Sequence, residues 1–457
     1  MGSVVAEDLP GGTRPHFAVC FEIPFSIFRR AGTLRGTMNA CVVALILLLA
    51  VSARPGRLTA ADKSDAPTNP PSAEVKLPAG FRYEILAEGD VPEPMDITFA
   101  PDGRLWAIGR EGQIWMLNVA TKQLASVGKL TVDHSDDRGL LGLELHPDFA
   151  RNGFLFLFYS PLQADTNKPM SRLSRFTVRP AEQGAELVAG SEKILLEFAL
   201  EKGGQHTGGG IAYHPGDGKL YVTTGDNNRI VDLPKYYADP ENRAQNLNDL
   251  RGKVLRLNLD GSIPTDNPYY GQASQRGEIF TRGHRQPWRL GVDTVTGNIF
   301  LAENGGDRLE DFEEVNLLRS GGNYGWPRVY ADNRDMFAPT NTLAGFDPPW
   351  LGYQRFDGAS CTGAFMYRGA TGKYAFPAAF RDVLFYTDYK RKSLRVARLD
   401  EKTGRPVKTE GFALNFAGGP VSVRRGPDGA IYVAEYAGWF RGSRTDRLSR
   451  IICEQAP

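Results

Sequence analysis

A histidine beside a carboxylate makes a general base, because the carboxylate fixes the imidazole tautomer and raises its basicity. The stretch GGQHTGGGIAYHPGDGKLYVTTGDNN, residues 203–228, contains such a pair in His206 and Asp226. Two short apolar runs, Ile211 to Tyr213 and Leu220 to Thr224, flank a Pro-Gly-Asp-Gly turn. Folded as an antiparallel hairpin about Gly216, they set His206 opposite Asp226 at the open end. The same spacing also suits two polar loop residues beside an ordinary hairpin. Arg285, in TRGHRQPW, brings a permanent charge that could stabilise an oxyanion or bind a carboxylate. The segment from Glu303 to Glu314 carries six acidic residues in twelve positions. Hard oxygens and glycine carbonyls suit calcium, while a solvated acidic loop explains the composition equally, since EF-hand spacing is absent. Lys390, at the end of DVLFYTDYK, reads either as a site cation or as a surface lysine.

These residues lie in different copies of one phrase: a short apolar strand, a Pro-Asp-Gly type turn and a second apolar or aromatic strand. It occurs at DITFAPDGRLWAIG, at GLLGLELHPDFARNGFLFLFYS, in the His206 stretch, at WRLGVDTVTGNIFLAEN, more weakly at TGAFMYRG with DVLFYTDYK, and at VSVRRGPDGAIYVAEY. A further strand follows each pair: QIWMLN, LSRFTV, GKVLRLNL, EEVNLL, LRVARLD and LSRIIC. Alternation, β-branched and aromatic enrichment, and glycine or proline in most turns argue for strands and against helices. Strand groups repeating every ~40 to 80 residues predict an all-β, six-bladed β-propeller. The strand FRYEILAE, near Phe81, is expected to complete the last blade. The residues before each first strand and after each second strand then share one face. That face gathers Asp137 and Arg138, His206 and Asp226, Arg285 and Gln286, Gly305 to Asp307, and Lys390; the turns, with Arg424 and Arg425, go to the other.

The N-terminal region reads differently. Arg29, Arg30 and Arg35 precede an apolar run from Ala40 to Val51, followed by small and polar residues. This order is that of a secretory signal, and the run is too short to span a bilayer. Residues 1–61 are expected to be a signal segment with Met38 as a candidate start, 62–76 a Pro-rich linker, and 77–457 the propeller. The destination is periplasmic or extracellular. A formal net charge of +1 gives no reason to expect nucleic acid or an anionic membrane as partner. Of four cysteines, only Cys361 and Cys453 lie beyond the signal, where export would permit a disulfide between them. No Cys-x-x-Cys-His, Walker A, Gly-x-Ser-x-Gly or His-Glu-x-x-His motif occurs.

The chain resembles the soluble glucose/sorbosone dehydrogenase family, six-bladed propellers that include quinoprotein aldose sugar dehydrogenases. The resemblance runs from about Leu77 to Ile452. RGLLGLELHPDF, QHTGGGIAYHP with TTGDNN, LNDLRGKVLRLNLDGSIPTDNPYY, TRGHRQPWR and EEVNLLRSGGNYGWP carry it. It implies pyrroloquinoline quinone held with calcium at the channel mouth, and a sugar or polyol as substrate. His206 matches the family's catalytic base, Asp226 its orienting carboxylate, Arg285 the arginine on the quinone oxygens, and Lys390 a cofactor-contacting lysine. Gly305 and Gly306 match the carbonyl ligands of calcium, and Glu313 falls where the family has a ligating aspartate. With no haem motif, an external cytochrome or quinone is the expected electron acceptor.

The chain also departs from the family. Asp137 stands in place of a glutamine and Gln286 in place of an asparagine, both at cofactor-binding positions, and a three-residue insertion displaces the acidic calcium segment. Gly419 and Val421 occupy the positions of an Arg-x-Arg pair that grips the cofactor's carboxylates. Two rival readings follow. One is an extracellular binding propeller resembling hedgehog-interacting protein that has lost the cofactor. The other is a calcium-dependent propeller hydrolase of the lactonase or phytase type.

Overall fold

When sheets pack face to face around an axis, their middle strands are covered on both sides, so such strands are mostly apolar. That is the character of Leu105–Gly109, Val383–Asp388 and Ile431–Tyr436, in which every residue is buried, Thr387, Asp388 and Glu435 included. A computed structural model of the chain describes residues 74–182, 184–228, 239, 241–306, 311–328, 344–355, 358–369, 371–438 and 445–454. The signal segment, all but the last three residues of the linker, and Asp307 lie outside the described residues.

The strands form six antiparallel sheets. After β1 (Phe81–Glu88), the first blade comprises β2 (Pro94–Phe99), β3 (Leu105–Gly109), β4 (Gln113–Asn118) and β5 (Gln123–Lys129). The second comprises β6 (Leu140–Leu145), β7 (Phe154–Tyr159), β8 (Met170–Ala181) and β10 (Lys193–Ala199), with β9 (Gly184–Leu187) paired to β8. The third has β11 (Gly208–His214), β12 (Lys219–Thr224), β13 (Lys253–Leu257) and β14 (Ile279–Arg282). In the fourth are β15 (Gln286–Val292), β16 (Ile299–Asn304), β17 (Phe312–Leu317) and β18 (Leu351–Gln354). The fifth is β19 (Cys361–Tyr367), β20 (Val383–Asp388), β21 (Ser393–Leu399) and β22 (Pro406–Leu414). The sixth takes β23 (Gly419–Arg425), β24 (Ile431–Tyr436) and β25 (Arg447–Cys453), and β1 completes it by pairing Phe81 with Cys453. The innermost strands touch in order round the ring, and β2 meets β23. The expected propeller, its repeated hairpins and the closing role of the Phe81 strand are all present. Pairing begins slightly before Leu77, since Lys76 bridges to Leu414.

Every inner hairpin carries a β-bulge near its site-face end. The extra residues are Met95, Leu141, Trp288, Thr362 and Val421, and in β11 Gly209 with Gly210 face Thr223 alone. Thr223 Oγ1 accepts from both glycine amides, at 3.1 and 2.7 Å. A bulge bends the strand and turns its carbonyl out of the ladder. Here the freed carbonyls are bridged across the axis. Arg289 donates to Met95 O at 2.7 Å and to Leu141 O at 2.8 Å, and Trp288 Nε1 donates to Val421 O at 2.8 Å. Blade four lies opposite blade one in a ring of six, so the Arg289 side chain crosses the middle and plugs it.

The possible disulfide is not formed. Cys361 opens blade five, Cys453 ends β25 in blade six, and both are buried thiols outside any disulfide. No described helix is long and apolar enough to cross a membrane.

Candidate active site

The β11–β12 register pairs Ile211 with Val222 and Tyr213 with Leu220, half a residue off a centre at Gly216; the bulge then pairs Gly208 with Thr224. That one-residue correction restores the expected opposition of His206 and Asp226. Their Nδ1 and Oδ1 atoms are 2.8 Å apart. Asp226 is fully buried. It also accepts from Trp326 Nε1 at 2.8 Å and from the Asn228 amide at 3.1 Å. A carboxylate surrounded by donors is an acceptor, so the proton on Nδ1 belongs to the imidazole and Nε2 is left as the basic nitrogen.

The backbone is shaped for this placement. His206 has φ of 60°, in the left-handed region where non-glycine residues are uncommon. Asp137 Oδ2 holds its amide at 2.9 Å, and the carbonyl of Asp137 accepts from Thr207 Oγ1 at 2.7 Å. Gly225 lies against the His206 carbonyl so closely that a Cβ there would stand 1.8 Å from the oxygen. Behind this wall, Lys253 pairs with Thr224 across the sheet, and its buried Nζ donates to the carbonyls of Arg243 at 2.8 Å and Arg251 at 2.6 Å. Burial pulls its ammonium down to about 7.

Arg285 is held by a second histidine–carboxylate pair. Glu303 Oε1 accepts its amide at 2.7 Å, and Glu303 Oε2 lies 2.7 Å from His284 Nδ1 and takes Asn316 Nδ2 at 3.0 Å. The Arg285 guanidinium carbon lies 5.5 Å from the centre of the Trp326 ring, within cation–π range. Gln286 is a structural tie, accepting from the Gly208 amide at 2.9 Å.

These groups open on one cavity of about 190 Å³, with Asp137, His206, Arg285, Gln286, Asn304, Arg355 and Tyr389 in its lining. The chain reaches it just before β6, β11, β15 and β19 and just after β16 and β20, on the face the repeat predicts. Asn304 Oδ1 is buried there with no hydrogen-bond partner among the described residues, an acceptor left for a ligand.

The other expected residues fall differently. Lys390 is exposed and does not line the cavity; its neighbour Tyr389 does. Arg138 is tied to Asp133 and Asp136. Gly305, Gly306 and Glu313 do come together, around a residue that sequence reading missed. Arg355 Nη1 donates to Gly306 O at 2.8 Å and to Glu313 Oε1 at 3.1 Å. Glu313 Oε2 accepts from the Cys361 amide at 3.0 Å. Burial pushes the Glu313 carboxyl up and the Arg355 charge opposes this. Across the cavity, a Cβ on Gly419 would stand 2.1 Å from the Tyr389 ring, so Tyr389 fills the space a side chain at 419 would take. Val421 is fully buried in the hub.

His206, Arg285 and the unpartnered Asn304 Oδ1 thus surround one cavity on this propeller face. Residues 91–438 match the glucose/sorbosone dehydrogenase family model. The chain belongs to the glucose/sorbosone dehydrogenase family. It is 30% identical over 308 residues to quinoprotein glucose dehydrogenase B of Acinetobacter calcoaceticus, covering 64% of this chain and 61% of that protein. It is 28% identical over 375 residues to the aldose sugar dehydrogenase YliI of Escherichia coli K12, covering 79% of this chain and 92% of that one. Among solved structures, a glucose dehydrogenase-type oxidoreductase from Thermus thermophilus superposes with a TM-score of 0.66 at 28% identity, over 82% of this chain and all of that one. Trp326, Glu303 and Arg355 contact the candidate residues Asp226, Arg285 and Glu313 in ways that sequence reading missed.

Proposed function

We propose that the chain is an exported quinoprotein dehydrogenase that oxidises a sugar or polyol hydroxyl with His206 as base and pyrroloquinoline quinone as cofactor. The observation that carries this reading is the Trp326–Asp226–His206 chain of hydrogen bonds, which ends on a cavity shared with Arg285. Pyrroloquinoline quinone, when bound, supplies the two-electron acceptor for the hydride. Arg285, Gln286 and Asn304 would hold it beside Asp137, and Asn304 Oδ1 still lacks a partner among the described residues. Lys390, which the family resemblance would add, is exposed and adjoins Tyr389 of the cavity lining. His206 Nε2 takes the proton from the substrate's hydroxyl oxygen, and the carbon bearing that oxygen, having given up its hydrogen as hydride, becomes a carbonyl. Asp226 offsets the charge that develops on the imidazole. Arg285 would offset negative charge on the bound cofactor. An external cytochrome or quinone would serve as the electron acceptor, and the apolar run at residues 40–51 directs export.

Calorimetry with the quinone, followed by dye reduction across an aldose panel, tests this. His206→Ala should bind quinone normally and lose roughly a hundredfold or more in turnover. A chain that neither binds quinone nor reduces dye removes the dehydrogenase reading.

One observation favours the rival binding propeller: Tyr389 lies over Gly419, where the family resemblance places a cofactor-gripping arginine. The same calorimetry decides between them.

A further inference from the structure

We propose that Arg355 is the resident cation of this site and stands in for the calcium that the family resemblance implies. Calcium takes six to eight oxygens at about 2.3–2.6 Å. Two of the three oxygen donors expected for it, Gly306 O and Glu313 Oε1, are instead bridged by a single guanidinium nitrogen, at 2.8 and 3.1 Å. A metal between those oxygens would have to share the space of Arg355 Nη1. The second Glu313 oxygen is also taken, by the Cys361 amide at 3.0 Å and the Gly305 amide at 3.4 Å.

The arrangement is built by the sheet. Glu313 sits opposite Tyr353 in the β17–β18 register, and Arg355 follows two residues later, with its amide held by Asp311 O at 2.8 Å. Its side chain is 21% exposed and that of Glu313 fully buried, so the ion pair is largely shielded from solvent. Gly305 cannot yield, because a Cβ there would lie 1.5 Å from Phe312 O. A guanidinium keeps its charge at every pH the fold survives and cannot be extracted by a chelator, whereas a calcium ion can. The inference concerns the cavity of the proposed dehydrogenase but holds whether or not a quinone binds there.

Calcium titration of the purified chain without quinone, read by calorimetry and by Tm, is the test. The wild type should bind no calcium saturably, and its Tm should shift by less than about 1 °C between excess EDTA and millimolar calcium. Arg355→Ser should lower Tm by roughly 5 °C and should gain a calcium-dependent Tm rise, with guanidinium ion restoring Tm in its place. Saturable calcium binding by the wild type would overturn the assignment, as would a folded Arg355→Ser whose Tm ignores both cations. Should the serine variant not fold, Arg355→Met with Glu313→Gln removes both charges together. That pair should fold and bind no calcium, and calcium binding by it would also overturn the assignment. Quinone affinity measured in excess EDTA and again in millimolar calcium keeps the two proposals apart. Quinone binding lost in EDTA and restored by calcium would overturn the assignment of Arg355 and leave the dehydrogenase reading, whereas quinone binding absent in both removes the dehydrogenase reading alone.

Discussion

The two walls of the cavity are built on different plans. On the blade-three wall, a histidine, a buried aspartate and an indole form a chain of directed hydrogen bonds in which each atom has one role. On the wall shared by blades four to six, charge and bulk have been rearranged: Arg355 covers the acidic group, and Tyr389 fills the space over Gly419. Proton transfer tolerates little displacement, so its geometry is expressed in backbone bulges and glycine contacts. Holding an anion or a cation needs only charge of the right sign at roughly the right place, which several residues can supply. The difference between the walls is that between a site defined by direction and one defined by charge.

The largest effect expected from breaking this contrast is on the directed wall. Asp226→Asn should preserve fold and quinone affinity while lowering turnover roughly a thousandfold, because an amide no longer enforces one imidazole tautomer. Dye-reduction kinetics beside a melting curve checks it, and a loss under tenfold would remove Asp226 from the proton path. On the other wall, Gly419→Ala should cost about 2 kcal/mol of stability by forcing a methyl against the Tyr389 ring. Adding Tyr389→Ala should relieve that overpacking, so a double-mutant cycle in denaturant should show coupling between the two positions.

The smallest effect comes from the buried cation behind the histidine wall. Lys253 is pulled down to about 7 by burial. Between that value and the free-lysine value the unfolded chain holds a proton that the folded chain has released, so stability rises with pH. Unfolding free energy should climb by up to about 1.4 kcal/mol per pH unit over roughly pH 7.5–9.5. Lys253→Met should flatten that slope, and an unchanged slope would show that Lys253 is not its source.

Much of this was legible in the residues. The inner hairpins announce themselves because strands covered on both faces are mostly apolar and flank short glycine- or proline-bearing turns. The outer strands do not: Gln123–Lys129 and Lys193–Ala199 alternate weakly and are largely exposed, so their sequences resemble linkers. His206 and Asp226 could be paired because a tight turn gives a centre to count from. Trp326 and Arg355 could not, since each reaches its partner across an interval no local pattern measures. Lys390 could be read either as a site cation or as a surface lysine, because it follows β20 in a turn, where the period of two that sorts strand residues between faces no longer applies.

The closing of blade six has a consequence for how the molecule is made. Phe81, at the start of β1, pairs with Cys453, at the end of β25. Each of the five other blades comes from contiguous chain and can form as it is synthesised, while the sixth joins strands far apart in the sequence. Until β25 is made, β1 lacks its partner strand and has only side-chain packing to hold it, such as that of Phe81 on Phe376, Phe380 and Phe412 of the fifth blade. A nonsense codon only a few residues before Arg447 would therefore cost more than one strand, because among the described strands β25 alone joins β24 to β1.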